Sequence, residues 1–167
     1  MKFSKLLRTP DDVGLTVLRI AAAVVVWPHG AQKFLGLFGG HGPSATVSFM
    51  NQALGIPPAL AWLAIIAEFF GSIALALGLL TRFAALGVFS TLAVGMLMVH
   101  LPNGFFMNWT GQQKGEGIEF FVFALPVLAL LVWRGGGAWS IDRAFTKGKS
   151  EGEAVPTNYE AGARLSS

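Results

Sequence analysis

The chain contains no cysteine, which excludes disulfides, thiolate metal sites and cysteine nucleophiles. It is also short of charge. Only 13% of its residues are Asp, Glu, Lys or Arg, about half the roughly 25% of a soluble globular domain. No basic cluster interleaved with aromatics is present, so the net charge of +3 and pI near 9.6 do not indicate a nucleic-acid partner. Nucleotide and flavin fingerprints are absent as well, because the glycines Gly135–Gly137 follow an apolar helical segment rather than a strand. What fills the chain instead is apolar: 53% hydrophobic residues and a mean hydropathy of +0.59. That balance points to a bilayer.

Each membrane-spanning helix needs roughly 20 apolar residues, and four such segments can be drawn. They cover about 13–34, 59–80, 83–101 and 118–134, giving an all-α, four-transmembrane-helix bundle in one membrane domain over 13–145. Residues 1–12 read as a cytoplasmic N-terminus. The polar, Gly- and Ser-rich stretch 146–167 reads as a disordered cytoplasmic tail. Lys2, Lys5 and Arg8 before an apolar run resemble a signal peptide, but Asp11 and Asp12 intervene, so the segment is expected to be retained. Between the first two spans, "SATVSFMNQAL" has loosely helical spacing and suits a short interfacial helix. Nine of the twelve Lys and Arg residues fall at the two termini and the turn at Arg82. Both termini are therefore expected on the cytoplasmic side of an inner (cytoplasmic) membrane.

At ~1.5 Å rise per residue, the polar residues can be placed by depth. His29 stands about 24 Å above the inner edge, Lys33 near the outer edge of a ~30 Å core, and Glu68 about 13 Å below that edge. His100 arrives at the outer end of the third span, and Glu116 and Glu119 start the fourth. Arg19 falls in the inner half, where its side chain is expected to snorkel to the interface. A carboxylate as deep as Glu68 costs roughly 2.5–3.5 kcal/mol on insertion scales and normally faces the interior with a partner. A basic or histidine partner is expected. His29, Glu68, His100 and Glu119 are thus candidates for chemistry, against a plain interfacial or helix-holding role for each. No metal site is assigned, since His29 and His100 on separate helices make a weak ligand set. Gly71, Gly78, Gly87 and Gly95 read as small residues for close helix packing.

The segments "LRIAAAVVVWPHGAQKF", "AEFFGSIALALGLLTRFAALG" and "GGGAWSIDR" resemble the DoxX family of small four-helix membrane proteins. The marks are His29, Gly30 and Lys33; Glu68 and Gly71; the turn Gly78, Leu79, Thr81, Arg82; and the end Gly137, Ser140, Asp142. The family takes its name from a subunit of a thiosulfate:quinone oxidoreductase, and other members are tied to redox and oxidative-stress systems. The resemblance therefore implies an integral membrane subunit of a redox-linked, quinone-associated system, catalytic or not, working with a partner redox subunit. A quinone would sit in an outward-facing polar pocket of Trp27, His29, Lys33, Glu68, Phe69 and His100. Two other readings stay open: a non-enzymatic scaffold or accessory protein for a partner, homo-oligomeric or not, and a small-solute carrier using Glu68.

Overall fold

The apolar segments fold as helices because a bilayer offers the backbone no hydrogen-bond partner, and a helix satisfies its own N–H and C=O groups. The computed structural model describes residues 7–151, with side chains through residue 147. Among the described residues six α-helices are defined in order: α1 (Val13–Leu35), α2 (Gly42–Leu54), α3 (Pro58–Leu77), α4 (Thr81–Gly95), α5 (Glu119–Arg134) and α6 (Ile141–Glu151). Among the described residues there is no strand. The first residues of the segment expected as a disordered tail are helical in α6; the remainder of that segment lies outside the described residues.

α1 packs most extensively on α3, α3 on α4, α4 on α5, and α5 closes the ring against α1. The core is drawn from all four, with Leu15, Ala23 and Val26 meeting Leu75, Ala85, Val88, Leu128 and Leu131. Outside both the core and the cavity described below, Val17, Val24, Ile66, Phe70 and Phe123 are exposed on α1, α3 and α5. A molecule that turns such residues outward on its long helices is solvated by lipid. Three helical stretches, Val13–Leu35, Pro58–Leu77 and Thr81–Asn103, are long and apolar enough to cross a bilayer. α5, at 16 residues with Pro126 inside, extends only about 24 Å.

Local signals set the helix ends. Asp12 caps α1, its Oδ1 accepting from Leu15 N at 3.1 Å, and Gly36 closes it in the left-handed region at φ 73°. α1 continues through Pro28, although proline removes one backbone donor there. Gly78 closes α3 at φ 67°. α4 has no local side-chain cap. Its first N–H groups, on Leu80 and Thr81, instead donate to the Asp142 carboxylate at 2.7 and 2.8 Å.

Arg19 does not snorkel. It is 1% exposed: Nε donates to Gly136 O at 3.1 Å, and NH1 to Ala76 O at 2.6 Å and to Leu75 O. The physical reason is the end of α3, whose orphan carbonyls need donors, and a guanidinium carries five. Arg82 treats α5 in the same way, donating to Val132 O at 2.8 Å and to Trp133 O. Asp142 N donates to Gly78 O at 2.9 Å. A Cβ on Gly78 would come within 2.5 Å of Ser140 Cβ. Two marks some sixty positions apart, the Gly78–Arg82 turn and the Gly137–Asp142 end, thus form one knot that ties this end of the bundle. The opposite end is built quite differently.

Candidate functional site

At the far end, α1 and α3 touch backbone to backbone. A Cβ on Gly30 would fall 2.7 Å from Phe69 Cα and 2.9 Å from Glu68 C, so only glycine permits the approach. One turn later on α1, Lys33 Nζ meets Glu68 Oε2 in an ion pair. Glu68 is 1% exposed, while the Lys33 side chain is 29% exposed. The buried carboxylate therefore has the basic partner that its depth requires, and the partner is the lysine rather than a histidine. Phe34 stacks on Phe69 beside this contact, ring centroids 4.8 Å apart.

Lys33 also lines a cavity of about 1070 Å³ between α2, α3 and α4. α2 forms its roof with Thr46, Phe49 and Met50, α3 contributes Leu60 and Leu63, and α4 lines it from Phe83 to His100. The end of α4 carries an irregularity that places His100. Met96–His100 form a π-helical turn, with Leu101 N donating to Met96 O, before a 3-10 turn at Leu101–Asn103. Such turns are rare and occur often at functional sites. His100 Nδ1 lies 2.9 Å from Glu116 O; a carbonyl can only accept, so Nδ1 carries a proton and donates it there. The ring also packs on Phe121 at 4.6 Å.

The expected pocket is thus only partly assembled. Lys33 and His100 line the same cavity, with Glu68 directly behind Lys33. His29 does not join them: it is exposed on α1 while its neighbour Gly30 faces α3, a consequence of the ~100° step between successive helical residues. Trp27 packs edge-on against Phe38 at 5.9 Å, and Phe69 is buried between helices, so neither lines the cavity. Glu119 is a loop clamp, its Oε2 accepting from Met107 N at 3.1 Å, as Glu116 Oε2 accepts from Asn108 N at 2.6 Å. Among the described residues, no three His, Asp or Glu side chains gather as a metal site.

Gln32, His41 and the whole α2 wall were missing from the sequence reading. Their signal was present, in the interfacial spacing of α2, but nothing local says which face of the bundle α2 covers. The glycines separate by role. A Cβ on Gly71 would fall 3.0 Å from Val88 Cγ2 and one on Gly87 3.2 Å from Ala67 Cβ, so both serve close helix packing, whereas a Cβ on Gly95 would meet nothing within 4 Å.

A lipid-exposed ring of long helices, tied at one end and flanked by a cavity along α3 and α4, defines a helical integral membrane protein. The DoxX family model matches residues 14–101, and the chain belongs to the DoxX family. It is 32% identical over 142 residues to the "Inner membrane protein YqjF" of Escherichia coli (strain K12), covering 82% of this chain and 95% of that one. It is 26% identical over 141 residues to the "Putative oxidoreductase CatD" of Bacillus subtilis (strain 168), covering 84% and 93%. No solved structure matches the chain significantly.

Proposed function

We propose that this protein is a redox-linked component of the inner membrane that binds a quinone at the Lys33 end of the cavity. In this reading α1, α3, α4 and α5 all cross the bilayer, both termini are cytoplasmic and the cavity's polar end faces outward. The observation that carries the reading is one shared cavity. Lys33, paired with the buried Glu68, and His100, placed by a π turn, line one cavity with otherwise largely apolar walls. The relative named as an oxidoreductase supports the redox class.

A quinone ring needs flat apolar walls and a hydrogen-bonding group near its oxygens, and the residues present fit that requirement. When bound, a quinone would supply two-electron, two-proton chemistry, its reduction to the quinol drawing both electrons from a partner redox subunit and both protons ultimately from water. The chain's own residues hold and protonate it. The Lys33 ammonium carries three donors and gives one to Glu68, leaving others to orient a ring oxygen. With Nδ1 of His100 held by Glu116 O, Nε2 is the ring atom left to hydrogen-bond a quinone oxygen or pass a proton to it. Glu68 acts through Lys33, fixing its position and charge. In native membranes, Glu68→Gln is expected to abolish quinone-linked turnover while folded yield is kept. Unchanged turnover would sink the assignment.

A scaffold reading also has an observation in its favour, since the Lys33–Glu68 pair bridges α1 and α3. Purification from the native membrane separates the two. Bound quinone supports the first reading; a partner protein retained without quinone supports the second.

A further inference from the structure

The tied end of the bundle carries large apolar side chains on its surface. Trp139 is 78% exposed, and Leu80, Trp133 and Phe145 are exposed as well. Two of them sit on disfavoured backbone. Leu80 at φ 46° and Trp139 at φ 51° occupy the left-handed region, where a Cβ crowds the following carbonyl. The knot imposes that conformation. Leu80 N donates to the Asp142 carboxylate at 2.7 Å. Trp139 is held between Ala138, whose carbonyl accepts from Thr16 Oγ1, and Ser140, which abuts Gly78. Thr16 lies in the first turn of α1 and Gly78 closes α3, so Trp139 stands level with the ends of the spans rather than beyond them. Backbone strain persists only where the surrounding structure over-determines it, and it clusters at working sites.

α6 repeats the pattern. Its polar residues serve the bundle: Asp142 is buried as the remote cap of α4, and Arg143 pairs with Asp11. Its apolar residues Ala144 and Phe145 are exposed. A surface helix in water does the reverse, turning its apolar stripe to the core. The surroundings are cationic. Arg8, Arg134 and Lys147 are exposed at this end, with Arg134 over the Trp133 ring at 5.8 Å. Among the described residues the exposed carboxylate here, Asp11, is occupied by Arg143. We infer that this end of the molecule is an interfacial anchor for anionic phospholipid. α6 lies in the plane of the membrane, with Ala144, Phe145 and the indoles of Trp133 and Trp139 at the level where headgroups meet acyl chains. The basic groups meet the lipid phosphates. The anchor does not depend on what the cavity holds.

The test uses the full chain in vesicles, with single cysteines introduced into a sequence that has none and spin-labelled. The Ala144→Cys label is expected to collide with dissolved oxygen in preference to an aqueous nickel chelate, as a Phe123→Cys label in the span does. A Gln112→Cys label in the opposite loop should show the reverse. An Ala144→Cys label as open to water as that at Gln112→Cys would overturn the lipid seat and leave the exposed face to a protein partner. Melting temperatures test the two chemical parts separately. Wild type is expected to melt higher in mixed phosphatidylglycerol and phosphatidylcholine vesicles than in phosphatidylcholine alone. The rise should shrink by about a third in Arg134→Gln, which removes one of the three named basic groups. No rise in wild type, or an undiminished rise in the variant, would overturn the choice of anionic lipid. Glycine takes the left-handed backbone without strain. Trp139→Gly is therefore expected to melt no lower than wild type in detergent, yet lower than wild type in vesicles. A variant that melts lower in both media, or in neither, would overturn the place of Trp139 in the anchor.

Discussion

Glu68 and Lys33 are partners with unequal surroundings, and the inequality is testable. Truncating Lys33 strands a carboxylate that is 1% exposed, and leaving a buried charge unpaired is costly. Neutralising Glu68 leaves a lysine that already reaches the surface at 29% exposure and can snorkel. Lys33→Ala is therefore expected to destabilise by about 1–3 kcal/mol, and Glu68→Gln by less than about 1 kcal/mol. Thermal unfolding in detergent, followed by tryptophan fluorescence, checks the order; equal losses would show that burial is not what sets it. Gly30 is the other decisive residue. Gly30→Val forces side-chain atoms onto the Phe69 backbone, where a Cβ already has only 2.7 Å. Backbone cannot rotate aside as a side chain can, so the helices must part, at about 1–3 kcal/mol. The same melting assay reads that loss, and a wild-type melting curve would refute the close contact.

Among the elements, the π turn and the remote cap each support a prediction. Successive residues of an α-helix step by about 100°. Deleting Val99 from the π turn therefore turns His100 away from Glu116 O and from the cavity while leaving the α4 core face in place. Quinone-linked turnover should fall to background with α4 still packed, measured in membranes beside a folding readout. Retained turnover would mean that the π turn does not position a working residue. At the other end, Asp142→Ala frees the first N–H groups of α4, and loss of a cap costs about 1–2 kcal/mol. Limited proteolysis should then cut first at the α3–α4 turn; cleavage no faster than in wild type would show the cap to be idle.

For the molecule as a whole, the long helices were legible because lipid demands long apolar runs, and the observed α1 and α5 keep the expected limits within a residue. Glu68's need for a partner was legible for the same reason. What depth alone could not supply was where the cavity begins along α1. His29 was placed at a suitable height, yet it is exposed and lines no part of the cavity, which Lys33 reaches one turn further on and on nearly the same helix face. Arg19 was misread because the acceptors it satisfies are distant in sequence: the carbonyls that end α3, more than fifty residues on, and Gly136 O, more than a hundred on. The four-span topology can be tested directly in a chain without cysteine. A membrane-impermeant maleimide should label Gln112→Cys in intact cells and Phe145→Cys only after lysis; the reverse pattern would invert the bundle, and labelling of both before lysis would remove a span.

The central claim is that Lys33 and His100 bound a quinone site. Its most direct test is the quinone content of the protein purified in lipid from its native membrane, wild type against His100→Phe. Phenylalanine keeps the ring packing on Phe121 and removes the nitrogen chemistry. The account predicts quinone retained in the wild type and depleted in the variant, at equal folded yield. A wild type without quinone, or a variant that retains it equally well, would contradict the account.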